Sequence, residues 1–94
     1  MGLLHATNTH LYRGARLQAP DGFPAEPGPV RIVFRDDAEV DAELRPGERD
    51  GELHLAVPAH RTAAGQDIAA KRWRIARVET DAGVETAVIG ERLG

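Results

Sequence analysis

Val30-Arg31-Ile32-Val33-Phe34, Val40-Asp41-Ala42-Glu43-Leu44 and Leu53-His54-Leu55-Ala56-Val57 are three short runs in which apolar residues recur at every second position. Period-two alternation sets successive side chains on opposite faces of an extended chain. Val30, Ile32 and Phe34 then share a face with Val40, Ala42 and Leu44 and with Leu53, Leu55 and Val57. Between the runs lie Asp36-Asp37-Ala38 and Arg45-Pro46-Gly47-Glu48-Arg49-Asp50-Gly51, both rich in turn formers. Residues 30–57 are therefore predicted to form a three-stranded meander with a wholly apolar inner face.

A register follows if both faces are to be satisfied. A turn at Asp36-Asp37-Ala38 pairs Val30 with Leu44, Ile32 with Ala42 and Phe34 with Val40. It also sets Arg31 opposite Glu43 and Arg35 opposite Glu39, and such opposed charges favour pairing by about 0.2–1 kcal/mol each. The second hairpin then pairs Leu44 with Leu53, Ala42 with Leu55 and Val40 with Val57, with His54 opposite Glu43.

Outward from the meander the signals change character. Arg72 to Glu79 has no coherent helical face, whereas as a strand Trp73 and Ile75 lie on one side and Arg72 and Arg74 on the other. The apolar parity switches between Ala76 and Val78, which marks a bulge or a strand buried on both sides. Thr80-Asp81-Ala82-Gly83 is a hairpin turn, and residues 84–90 return as the partner strand. Residues 10–17 read as a first strand with Leu11, Ala15 and Leu17 on one side, and His5 is expected to lie in a frayed terminus. Residues 19–29 carry four of the six prolines and form an extended loop from which Phe23 tucks back onto the core. The long connection, residues 59–71, is expected to hold one helical turn capped by Asp67. The fold class is all-β: a single domain over residues 1–94, built as a small six-stranded, mainly antiparallel barrel or sandwich of SH3-like or OB-like size.

Charge is segregated along the chain. Residues 36–52 hold eight carboxylates against Arg45 and Arg49, and residues 61–77 hold four arginines and Lys71 against Asp67. Segregation of this kind bears on partners and solubility rather than on fold. Eleven arginines to one lysine, with fifteen alanines, is the bacterial-like composition of a GC-rich coding sequence.

Several chemistries are excluded or disfavoured. The chain has no cysteine and no serine, so disulfides, thiolate metal sites and Ser or Cys nucleophiles are absent. His5, His10, His54 and His60 match no metal-ligand spacing, and no glycine-rich phosphate loop occurs. Lys71, the sole lysine, lies among Arg72 and Arg74 and is read as part of an exposed basic cluster rather than a Schiff-base former. Glu39, Asp41 and Glu43 follow one another at about 6.6 Å along one strand face, a spacing that also occurs between glycosidase carboxylates. With Arg31 and Arg35 opposite, they are read as a solvated acidic face. Pro24-Ala25-Glu26-Pro27 is formally P-x-x-P but has no basic flank, and is read as a stiff loop. No apolar run approaches the roughly 18 residues of a membrane span, and Met1-Gly2-Leu3-Leu4-His5 turns polar too soon for a secretory signal. A cytoplasmic protein without cofactor or membrane attachment is expected.

Two functional classes remain. The first is a non-enzymatic interaction or assembly module that docks a protein partner, or associates with itself, through acidic and basic faces or an open strand edge. The second is single-stranded nucleic-acid binding through Lys71, Arg72, Arg74 and Arg77 around Trp73, since small barrels bind such strands with a basic groove and stacking aromatics. Gly65-Gln66-Asp67-Ile68 followed by Trp73-Arg74-Ile75 resembles the late strands of the small β-barrel head–tail joining proteins of phages, over about thirty residues. Ala69-Ala70-Lys71-Arg72 stands where that pattern usually has a glycine, and no residue's role is carried across. The resemblance implies an assembly role.

Overall fold

The computed structural model describes residues 2–94 and contains nine strands. They are β1 (Gly2–Ala6), β2 (Arg16–Ala19), β3 (Gly28–Val33), β4 (Glu39–Pro46), β5 (Leu53–Val57), β6 (His60–Arg61), β7 (Asp67–Ile68), β8 (Lys71–Asp81) and β9 (Val84–Arg92). Seven of them close into a barrel in the order β1-β2-β9-β8-β5-β4-β3, and β6 with β7 forms a separate two-stranded ribbon. Among the described residues no helix is long and apolar enough to cross a membrane.

The meander forms as the alternation requires. Val30, Ile32, Phe34, Val40, Ala42, Leu44, Leu55 and Val57 are buried, and Leu53 packs against them half-buried. Both predicted registers are displaced by two residues. Val30 pairs with Ala42 and Ile32 with Val40, while Leu44 pairs with Leu55 and Pro46 with Leu53. Each displacement is set in its own turn: the Gly47 N–H donates to the Glu52 carbonyl at 2.8 Å in the second hairpin, and the first turn is tighter than expected. The Asp37 N–H donates to the Phe34 carbonyl at 2.9 Å and the Phe34 N–H donates to the Ala38 carbonyl at 2.9 Å, with Asp37 at a φ of 66°. A tight loop ending on a left-handed residue fits here because aspartate tolerates that conformation better than most side chains. A two-residue slip preserves which side chains face inward, so burial alone could not distinguish the two registers.

Other expectations need correction. His5 lies inside β1, not in a frayed end, and β1 pairs antiparallel with β2 and parallel with β3. That parallel pair closes the barrel. The strand expected over residues 10–17 begins only at Arg16, although Ala15 and Leu17 are buried as expected. Asp67 caps no helical turn: it pairs across the small ribbon with Arg61, whose Nε donates to Asp67 Oδ1 at 2.9 Å. Six expected strands become seven in the barrel because β1 supplies the missing one.

The last hairpin follows the sequence closely. Ala82 and Gly83 both have positive φ, 51° and 82°, and form the two-residue turn between Asp81 and Val84. The register shifts between Trp73 and Ile75 and again between Ile75 and Arg77, and these are the bulges that the parity switch at Ala76 requires. Gly90 sits at this irregularity. A Cβ there would meet the Arg74 carbonyl oxygen at 3.0 Å, so the close approach of the two backbones favours glycine.

Candidate interaction surface

Sheet pairing supplies each charged stretch with counter-charges. Arg31 on β3 reaches Asp41 at 3.0 Å and Glu39 at 3.6 Å, and Arg45 reaches Glu43 at 3.0 Å. Every member of the acidic face Glu39, Asp41 and Glu43 thus has an arginine partner, but Arg45 takes the place expected of Arg35. Asp41 above all, then Glu39, holds the Arg31 guanidinium more firmly protonated than usual. On the basic strand, Arg74 reaches Glu91 at 3.2 Å and Arg77 bonds Glu79. Lys71 and Arg72 make no ion pair among the described residues. They share a depression of about 400 Å³ with Asp41 and Glu43, over the small side chain of Ala56. Glu43, Ala56 and Arg72 lie in one row across β4, β5 and β8, so an acid and a base flank an alanine there.

Trp73 belongs to the barrel core. It is 7% exposed and pairs with Leu55, so its ring offers no open face for a base to stack on. The histidines are tied into local structure. The His54 Nε2 lies 3.3 Å from Glu52, not opposite Glu43 as expected, and β-pairing sets it against Arg45. The His60 ring stacks on Phe34 with centroids 5.7 Å apart, and His10 lies tilted against Tyr12.

The feature not anticipated from sequence is a length mismatch. β8 has eleven residues, whereas β5 beside it has five, and His54 with Arg74 is the last pair between them. Beyond that pair a cleft of about 920 Å³ separates β8 from the end of the β4–β5 hairpin. Arg74 to Val78 form one wall, Glu48 to Leu53 the other, and Phe23, Pro24 and Ala25 lie between. The far wall is closed by local hydrogen bonds. Gly47 donates to the Glu52 carbonyl at 2.8 Å, and a Cβ on Gly47 would come within 2.8 Å of three Glu52 side-chain atoms. The Glu52 carboxylate accepts the Arg49 N–H at 3.1 Å, and that bond, with His54 second, lowers its pKa.

Alternation of hydrogen bonds decides what the near wall presents. The Ile89 N–H donates to Ala15 at 2.9 Å and its carbonyl accepts from Gly14 at 2.8 Å, so Ile89, Ala87 and Glu85 point their backbone groups at β2. Val88, Thr86 and Val84 therefore point theirs at Arg77, Glu79 and Asp81 of β8. The N–H and C=O groups of Val78 and Thr80 then face away from β9, on the side where β8 has no neighbouring strand beyond Arg74. Val78 is also 42% exposed, one of two large apolar residues so exposed among those described. Unpaired strand margins of this kind are templates for another chain.

Fold and surface together define a small closed all-β barrel in which β8 runs on past its neighbour β5. Comparison with protein-family models, with curated proteins and with solved structures returns no match. The likeness of residues 65–75 to phage head–tail joining proteins gains no support there.

Proposed function

We propose that this protein is a non-enzymatic docking module that binds a protein partner in the cytoplasm through the free margin of β8. The observation that carries the reading is the stretch around Val78 and Thr80, where β8 extends past the last β5 pair at Arg74 and faces a cleft. β-augmentation uses such a margin: main-chain hydrogen bonds supply affinity and alternate side chains supply specificity. The cleft beside it has the room for an added strand, and the charged side chains along it select the partner. Absence of serine and cysteine fits a protein that binds rather than reacts.

The test is recovery of the tagged protein from its native extract, followed by sedimentation in low and high salt. A stoichiometric complex, with a second protein or with a second copy of the chain, is expected. A chain that sediments as a 10.2 kDa monomer in both salts, with nothing retained, overturns the reading.

A second reading, single-stranded nucleic-acid binding, keeps Lys71 and Arg72 as free cations but has no stacking ring at Trp73. A salt-dependent gel shift supports it, and no shift at about 50 mM salt ends it.

A further inference from the structure

The free margin of β8 has a property that singles out one occupant. Laid antiparallel against a second copy of itself and centred on Val78, the segment Ala76-Arg77-Val78-Glu79-Thr80 sets Arg77 opposite Glu79, Val78 opposite Val78 and Ala76 opposite Thr80. Neighbouring registers do not work. Centring on Glu79 opposes two carboxylates, centring on Arg77 opposes two guanidinium groups, and centring on Thr80 sets Glu79 against Asp81. Hydrogen-bond phase admits this centre, and the charge pairing is what selects it. Val78 directs both its N–H and its C=O outward, so two copies of Val78 exchange both bonds as a hydrogen-bonded pair.

We propose that two copies of this chain join along β8 about a two-fold axis at Val78, making one continuous sheet β9-β8-β8-β9. This rests on the docking reading above and names its occupant as a second copy. Arg77 and Glu79 share the face that carries Val88 and Thr86. The four charges of the pair therefore form an alternating square on that face, built on the Arg77–Glu79 contact already present within one chain. On the opposite face each Val78 covers the other, removing the exposed apolar surface at the margin. An isologous contact of this sort closes at two copies and does not propagate into fibres.

Cysteine substitution tests the register directly, because the chain has no cysteine of its own. In a hydrogen-bonded antiparallel pair the Cα atoms stand about 5.5 Å apart, inside the disulfide range of about 4.4–6.8 Å. Purified Val78→Cys is expected to oxidise to a covalent dimer, whereas Ala76→Cys and Thr80→Cys remain reduced because like residues there lie four strand positions apart. By sedimentation the unmodified chain is expected at twice 10.2 kDa. Arg77→Glu is expected to be monomeric, and Arg77→Glu combined with Glu79→Arg is expected to restore the dimer. Val78→Pro removes an outward N–H without touching the β9 ladder and should give a folded monomer with an unchanged far-ultraviolet circular dichroism spectrum. A chain that stays monomeric at millimolar concentration, or cross-links equally at all three positions, overturns the proposal. A complex with a different protein in native extract would then leave the docking reading standing with another occupant.

Discussion

Arg16 and Glu79 sit on strands that are not neighbours, yet the Arg16 Nη1 donates to Glu79 Oε2 at 2.9 Å. Between them runs β9. Arg16 and Arg77 flank Val88, and Gln18 and Glu79 flank Thr86, so the ion pair runs diagonally over the outer face of β9. Val88 and Thr86 are 5% and 1% exposed although they point away from the barrel interior. Long charged side chains can cover apolar surface with their stems while keeping their heads in water. This strap explains how β9 comes to be buried on both faces.

Glu79 should titrate below the ordinary carboxylate range, because Arg77 and then Arg16 favour its charged form. A carboxyl whose pKa falls on folding contributes stability above its unfolded pKa and loses it as the pH drops through the folded value. Glu79→Gln is expected to lower the urea midpoint at neutral pH, with the gap to the parent closing in acid. Chemical-shift titration of the Glu79 carboxyl carbon measures the displacement itself.

Leu55 is fully buried at the centre of β5, where it pairs with Leu44 on one side and Trp73 on the other. Leu55→Ala is expected to destabilise the fold by about 2–5 kcal/mol, through lost burial and the cavity left behind. Equilibrium denaturation followed by Trp73 fluorescence reads it out, since the single tryptophan lies against the new void.

Ala82 holds a left-handed conformation, φ 51°, in a turn whose two central residues both need positive φ. Alanine bears a steric penalty there that asparagine relieves in part. Ala82→Asn should raise stability by about 0.5–1 kcal/mol, measured as an increased thermal midpoint.

Gly90 lies against the Arg74 carbonyl, and an added methyl would also meet the Ala76 side chain at 3.4 Å. Gly90→Val is expected to widen the β8–β9 bulge and destabilise the hairpin by about 1–3 kcal/mol. Faster amide hydrogen exchange along residues 74–78 than along β4 would locate the damage.

What the chain made legible was parity rather than position. Alternation at Val30 to Val57 identifies the inward side chains because one residue of slip would invert them, but a slip of two leaves every side chain on its own face. Turn geometry, as at Asp37, settles each register, and a local left-handed residue leaves no periodic trace. β1 was missed because Leu3 and Leu4 are adjacent apolar residues that blur the inward alternation of Leu4 and Ala6. Its parallel partner β3 is also far away along the chain. The two-stranded ribbon at His60 to Ile68 is too short to show a period, and Asp67 before Ile68-Ala69-Ala70 has the sequence pattern of a helix cap. Charge segregation misleads in another way: the acids of β4 pair with Arg31 and Arg45, and the basic residues Arg74 and Arg77 pair with Glu91 and Glu79, so each stretch finds its counter-charges outside the other. The margin of β8 leaves no trace in the sequence, because which strand lies beside it and where that strand ends are set by the barrel order.

Closure by the parallel pair of β1 with β3 makes the first strand a zip fastener inserted between β2 and β3. Trimming the chain past Ala6 should therefore unfasten two seams at once, leaving β2 and β3 each with a raw selvage. Such a shortened chain is expected to clump at concentrations where the full chain stays clear.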